Sequence, residues 1–130
     1  MPASPTQRSL SFFVPRLPKL PNRSARPAHW AVVQREAKAW HDDVQWLVNI
    51  HAPGRLLMIE RARLTLTRVS THEPDPDNLM ASWKYVIDGL QRAGVIVDDK
   101  RENVEILSQW NKASKRADQG IIVQVEEIVR

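Results

Sequence analysis

The sequence predicts an α+β fold: a single domain with a mixed β-sheet and two main helices packed on it. Three observations predict it. Apolar residues recur at helical spacing over about 28–49 and again over 79–90. Residues 61–69 alternate, with Ala62, Leu64 and Leu66 on one face. Short β-rich runs then stand at 95–97, 104–107 and 121–129. The order strand, helix, strand, helix, strands puts the helices on one side of a sheet. At 130 residues, 42% hydrophobic and 26% charged, the chain has ordinary globular composition and length for one domain, which excludes disorder throughout.

Residues 1–27 form a Pro/Arg-rich N-terminal arm. Pro15, Pro18, Pro21 and Pro27 forbid a long helix there, while Ser9 to Val14 has the composition of a short strand. No acid precedes Glu36, yet Arg8, Arg16, Lys19, Arg23, Arg26 and Arg35 are all present. That excess reads either as a solvated arm or as one that contacts phosphates. From Ala28 to Asn49, Val33, Ala37, Trp40, Val44, Leu47 and Val48 trace one helix face. Pro53-Gly54 breaks it.

Leu56 to Val69 reads as one long strand or a strand pair. In its second half Ala62, Leu64 and Leu66 share a face, and Arg61, Arg63, Thr65 and Thr67 the other. Thr71 to Asn78, with two prolines and three acids, is a stiff acidic turn. The next helix carries Leu79, Trp83, Val86, Ile87 and Leu90 on one stripe and stops at Gly94. Val95 to Val97 is a short buried strand that runs into Asp98-Asp99. Val104 to Leu107 and Ile121 to Val129 are strands, with a polar basic loop from Asn111 to Gly120 between them.

Cysteine is absent, so disulfides and thiolate metal sites are excluded. Any metal must be held by oxygen or imidazole, which suits magnesium, with manganese as its substitute. No apolar run reaches the roughly 18 residues that span a bilayer. Leu10 to Val14 is too short for a secretory leader, so the expected location is the cytoplasm. The net charge of +4 favours nucleic acid as partner.

The carboxylates between Asp75 and Asp99 carry the chemistry. One strand ends before Asp75-Pro-Asp77-Asn78, a helix starts there, and another strand ends at Asp98-Asp99. Acids at the ends of neighbouring strands are expected to point into one small volume, where magnesium can polarise a phosphate and activate a water. At about 100° per residue, Asp77, Lys84 and Asp88 share a helix face, and Lys84 is placed to reach a phosphate. Each piece has a plainer reading. Asp75 and Asp77 make turns or cap a helix. Asp98-Asp99 is a polar turn, Lys84 a solvated lysine and His72 a loop residue. Among the tryptophans, Trp40 and Trp83 belong to the core, and Trp110, beside the basic loop, is the expected exposed aromatic for base stacking, ahead of Trp30 and Trp46.

These residues resemble a known family. Asp75-Pro-Asp77-Asn78-Leu79, then Lys84 and Asp88-Gly-Leu90, then Gly94-Val-Ile-Val-Asp98-Asp99 is similar to the signature of RusA-like crossover junction endodeoxyribonucleases. The strong match covers about 25 residues. The resemblance implies a homodimeric hydrolase that resolves four-way (Holliday) junctions in recombination and repair by paired symmetric cuts with magnesium. Residues 28–130 would be the nuclease domain. Asp75, Asp77 and Asp99 would be metal-binding and catalytic, with Asp98 as the alternative to Asp99, and Lys84 would be the family's helix lysine. Lys84 lies three residues later than in the best-known members, a spacing shared with phage-type relatives. Arg61, Arg63, Arg68, Lys112, Lys115 and Arg116 are the candidates for holding the DNA backbone, through contacts that weaken with salt. Two other readings stay open: a nuclease for other branched or single-stranded DNA, and a non-catalytic basic DNA-binding protein.

Overall fold

The computed structural model describes residues 7–21, 30–54 and 56–129. Its elements are β1 (Ser9–Val14), α1 (Trp30–His51), β2 (Ala62–Ser70), α2 (Pro76–Ala81), α3 (Lys84–Arg92), β3 (Val104–Lys112), a single 3₁₀ turn (Arg116–Asp118) and β4 (Gly120–Glu127). The fold is α+β with one mixed sheet, strand order β1-β4-β2-β3. β2 pairs parallel with β3 and antiparallel with β4, and β4 pairs antiparallel with β1. The N-terminal arm therefore contributes an edge strand, fastened by an ion pair between Arg8 and Glu127 at 2.7 Å. The rest of the predicted arm, residues 1–6 and 22–27, lies outside the described residues, as do Ala28 and His29 of the expected first helix.

Alternation decides the two faces of the sheet. Leu10, Phe12 and Val14 of β1, Val125, Val123 and Ile121 of β4, and Leu64 and Leu66 of β2 are buried under the helices. Ser11, Gln124 and Thr65 lie across the opposite face, exposed or half-buried. Burying the apolar members of each strand against Trp40, Val44, Trp83, Val86 and Leu90 makes one core. Trp83 is fully buried, and its indole N–H donates to the Ser108 hydroxyl at 2.9 Å, so the polar end of the ring stays satisfied.

Three elements depart from the sequence reading. The second helix is two helices. The Ser82 hydroxyl donates to the Leu79 carbonyl, and the Ser82 and Trp83 amides reach back to Leu79 and Met80, tightening the chain to i→i−3 bonding. Val95 to Val97 makes only one parallel bridge, Ile59 to Ile96, and Val97 is 40% exposed. β3 extends to Lys112, five residues past the predicted end. The stop at Gly94 is as expected. Its φ of +74° suits glycine, and Val95 and Gly94 amides close onto the Leu90 and Gln91 carbonyls.

Candidate functional site

The acidic turn is built by helix capping. Asp75 sits at the N-cap of α2, and its carboxylate accepts the Asp77 amide at 2.9 Å. Pro76 takes the first helical position, where its missing N–H costs nothing. Asp75 and Asp77 are both exposed, and the Asp77 carboxylate has no hydrogen bond or ion pair among the described residues. It lines an open depression with Met80 and residues Ile106 to Gln109 of β3.

A basic loop is fastened to the last residues of β2. The Ala113 amide donates to the Ser70 carbonyl, and the Thr71 amide and hydroxyl both donate to the Gln119 side chain at 3.1 and 3.2 Å. The loop between β3 and β4 is therefore held against the end of β2, one short step before Asp75. It carries Lys112, Lys115 and Arg116, all exposed and without a carboxylate partner among the described residues.

The second acid pair lies elsewhere. Asp98 accepts the Lys100 amide at 3.0 Å and the Asn103 side-chain amide at 3.2 Å. Those two donors, the backbone one first, hold its carboxyl below the usual carboxylate range. Asn103 precedes β3, and its carbonyl takes the amide of Ala62, the first residue of β2. Asp98-Asp99 is thus at the start of β2, and Asp75-Asp77 follows its end. Ile96 pairs with Ile59, ahead of β2, and that register is why the expected convergence fails within one chain. Between Asn103 and the stretch of β3 beside Asp77 lie roughly 10–20 Å of strand. Ligands of one magnesium ion each stand about 2 Å from it. Among the described residues no three acidic or histidine side chains gather closely enough to hold a metal.

Lys84 is exposed at the first turn of α3. It shares a groove with Asp88, as the spacing suggests, but not with Asp77, because the break at Ser82-Trp83 interrupts the common helix face. Arg61 is exposed and Arg63 half-buried at the start of β2, where Arg63 pairs with Glu105 at 3.3 Å.

Arg68 corrects the sequence reading. It falls on the same side of β2 as Leu64 and Leu66, is 9% exposed, and donates to the Pro18 carbonyl at 2.8 Å. Burial lowers its pKa, and its Nε has no partner among the described residues. It fastens the arm and is not part of the exposed basic surface. The shared parity of Arg68 with Leu64 and Leu66 already carried that signal. Trp110 is likewise half-buried, with its N–H on the Ser70 hydroxyl at 3.0 Å, while Trp30 and Trp46 are 73% and 65% exposed.

No protein-family model and no curated protein matches the chain. Among the described residues no helix is long and apolar enough to cross a membrane.

Proposed function

We propose that the chain is a magnesium-dependent endonuclease for branched DNA, of the RusA-like kind, acting on four-way junctions as a homodimer in recombination or repair. The observation that carries this reading is the end of β2. An exposed Asp75-Asp77 turn, with one carboxylate that has no partner among the described residues, follows β2, and the last residues of β2 also anchor a loop whose three cations have no carboxylate partner among the described residues. Exposed carboxylates and cations without partners suit a bound phosphodiester and its counter-cation better than they suit stability, since exposed charges contribute little to folding.

The separation of the acid pairs gives the dimer a specific task. Asp75-Asp77 of one chain and Asp98-Asp99 of a second, related by a twofold axis, would complete two equivalent cation sites. Asp99 is the better member of its pair, because Asp98 is engaged by Lys100 and Asn103. Two sites fixed by symmetry suit paired cuts in strands of matching polarity.

The test is cleavage of a strand-labelled four-way junction in magnesium beside a linear duplex of the same sequence, with wild type and Asp77→Asn. Paired cuts in the junction alone, lost in the variant, are expected. Cutting of flaps, forks or single strands but not junctions would keep the site and change the substrate. Binding without cleavage by either protein, in magnesium or manganese, would overturn the enzyme in favour of a non-catalytic DNA-binding protein.

A further inference from the structure

A second basic surface lies on the helical side of the molecule, and neither acid pair lines it. α1 and α3 pack side by side, with Val44 of α1 directly over Gly89 of α3; a Cβ on Gly89 would stand 3.1 Å from that of Val44. Val33 lies level with Lys84 and Tyr85, and His41 level with Asp88 and Arg92, so the two helices run in the same direction. Their outer edges enclose an open groove of about 640 Å³.

Its walls are strongly cationic. Arg35 and Lys38 project from α1, Lys84 and Arg92 from α3, and among the described residues the acid lining it is Asp88. Lys38 is paired with Asp42 at 2.7 Å. Arg35, Lys84 and Arg92 have no carboxylate partner among the described residues, and all three are exposed. His41 adds no charge to this set at neutral pH. Burial first, then Arg92, holds its imidazole below the usual histidine range, against the opposing pull of Asp88 and Asp42. Its Nε2 is buried with no hydrogen-bond partner among the described residues.

The groove also continues. Val33, Lys84 and Tyr85 line a second hollow, whose far wall is Pro18 to Pro21 of the arm and includes exposed Lys19. Lys84 and Arg92 are eight residues apart on α3, about 12 Å along the axis at the helical rise. Lys19 extends the cationic line beyond Lys84. Trp30, 73% exposed in the first turn of α1, offers an aromatic face on the helix that forms one wall.

We propose that the groove between α1 and α3 seats the sugar-phosphate backbone of a nucleic-acid strand, through Arg35, Lys84 and Arg92. A line of cations that outnumbers the lining acids, Asp88 and Glu36, is complementary to a polymer with a charge at every repeat. It is less suited to an acidic peptide, which gains its affinity from apolar anchors as well as charge. The basic loop and this groove share no lining residue, so one subunit would offer two basic surfaces to a branched substrate. The inference shares with the proposed function the premise of a nucleic-acid partner, but it does not require that the chain cut it.

The test is equilibrium binding in EDTA, by fluorescence anisotropy of a labelled 20-base-pair duplex over a range of salt. The proteins are wild type, Arg35→Gln/Arg92→Gln and the charge-keeping Arg35→Lys/Arg92→Lys. Neither arginine has a partner to lose, and thermal melting checks that the variants fold. Loss of two phosphate contacts should weaken binding about 30-fold at 0.15 M salt and make the log–log salt slope shallower by about 2, with the lysine pair restoring most of both. Superimposable curves for wild type and the glutamine pair would overturn the proposal. So would competition by polyglutamate that depends on Arg35 and Arg92 while duplex binding does not. Groove-dependent binding without cleavage would sink the nuclease reading alone; cleavage with groove-independent binding would sink this one alone.

Discussion

The two ends of β2 carry the same kinds of side chain in different states. Past its end stand Asp75 and Asp77 with Lys112, Lys115 and Arg116; at its start stand Asp98 and Asp99 with Arg61 and Arg63. At each end one acid is consumed by local structure. Asp75 caps α2, and Asp98 closes the turn before β3. At each end the other acid, Asp77 or Asp99, has a carboxylate without a partner among the described residues. The cations differ. Arg63 is paired with Glu105, whereas Arg61 and the three at the far end have no carboxylate partner among the described residues. A structural acid beside a free one, repeated at both ends, means that proximity in sequence does not assign a role. The hydrogen bonds do.

The largest effect should come from joining the two ends. Asp77→Asn and Asp99→Asn should each lower junction cleavage by about a hundredfold or more, as loss of a cation ligand implies. Mixing the two inactive proteins should then restore cutting, because a mixed dimer keeps one intact pairing of Asp77 with Asp99. It should nick one strand instead of cutting two. Inactive single variants that stay inactive when mixed, with exchange of subunits verified, would show that the two ends do not meet.

Next in size is Gly94→Ala. A side chain at φ +74° costs about 1–2 kcal/mol, and the new Cβ would lie 2.6 Å from Leu56, so the melting temperature should fall. A melting temperature equal to wild type would mean that the stop of α3 does not fix where Val95 to Asp99 is placed.

Third, Lys115→Gln should weaken DNA binding about fivefold at 0.15 M salt. Arg68→Met should leave binding unchanged and lower stability by about 1–3 kcal/mol, since the buried Pro18 carbonyl loses its donor. Equal losses of affinity in the two would return Arg68 to the DNA surface.

The smallest effect separates Asp98 from Asp99. A carboxyl held below its unfolded pKa stabilises the fold above the usual carboxylate range, and that contribution disappears as pH falls through its lowered folded value. Asp98→Asn should therefore lower the melting temperature at neutral pH and flatten its acid-side fall. Asp99→Asn removes no hydrogen bond among the described residues and should leave the melting temperature at neutral pH as in wild type. Identical curves for both would remove the distinction between the turn acid and the free one.

Much of the fold was legible because its periods are local. The stripe through Trp40, Val44 and Val48 and the alternation of β2 each need only a few neighbouring residues to be read. Trp40 and Trp83 were assigned to the core on the same ground and are fully buried. The break at Ser82-Trp83 was not legible, because a hydroxyl that turns back on its own helix leaves the apolar stripe unaltered. Nor was the position of Asp98-Asp99. A short β-rich run states that it pairs, but its partner residue is a long-range property, and Ile59 in place of a residue of β2 moves both acids to the other end of the strand. Arg68 was misassigned by its charge when its parity with Leu64 and Leu66 was the stronger signal.

The pairing of β1 with β4 sets a schedule for folding. Ser9 meets Glu126, and Val14 meets Ile121, so the first strand has no partner until the last has been synthesised. At the usual pace of a ribosome the intervening stretch takes roughly 6–23 s to make. During that interval Leu10, Phe12 and Val14 have no seat, and β2 lacks one of its two neighbours. The helices and the β2–β3 pair can form while the chain is still growing. The sheet closes only after residue 127 has left the exit tunnel, and the unpaired edge of β2 is until then a surface on which nascent copies can associate wrongly.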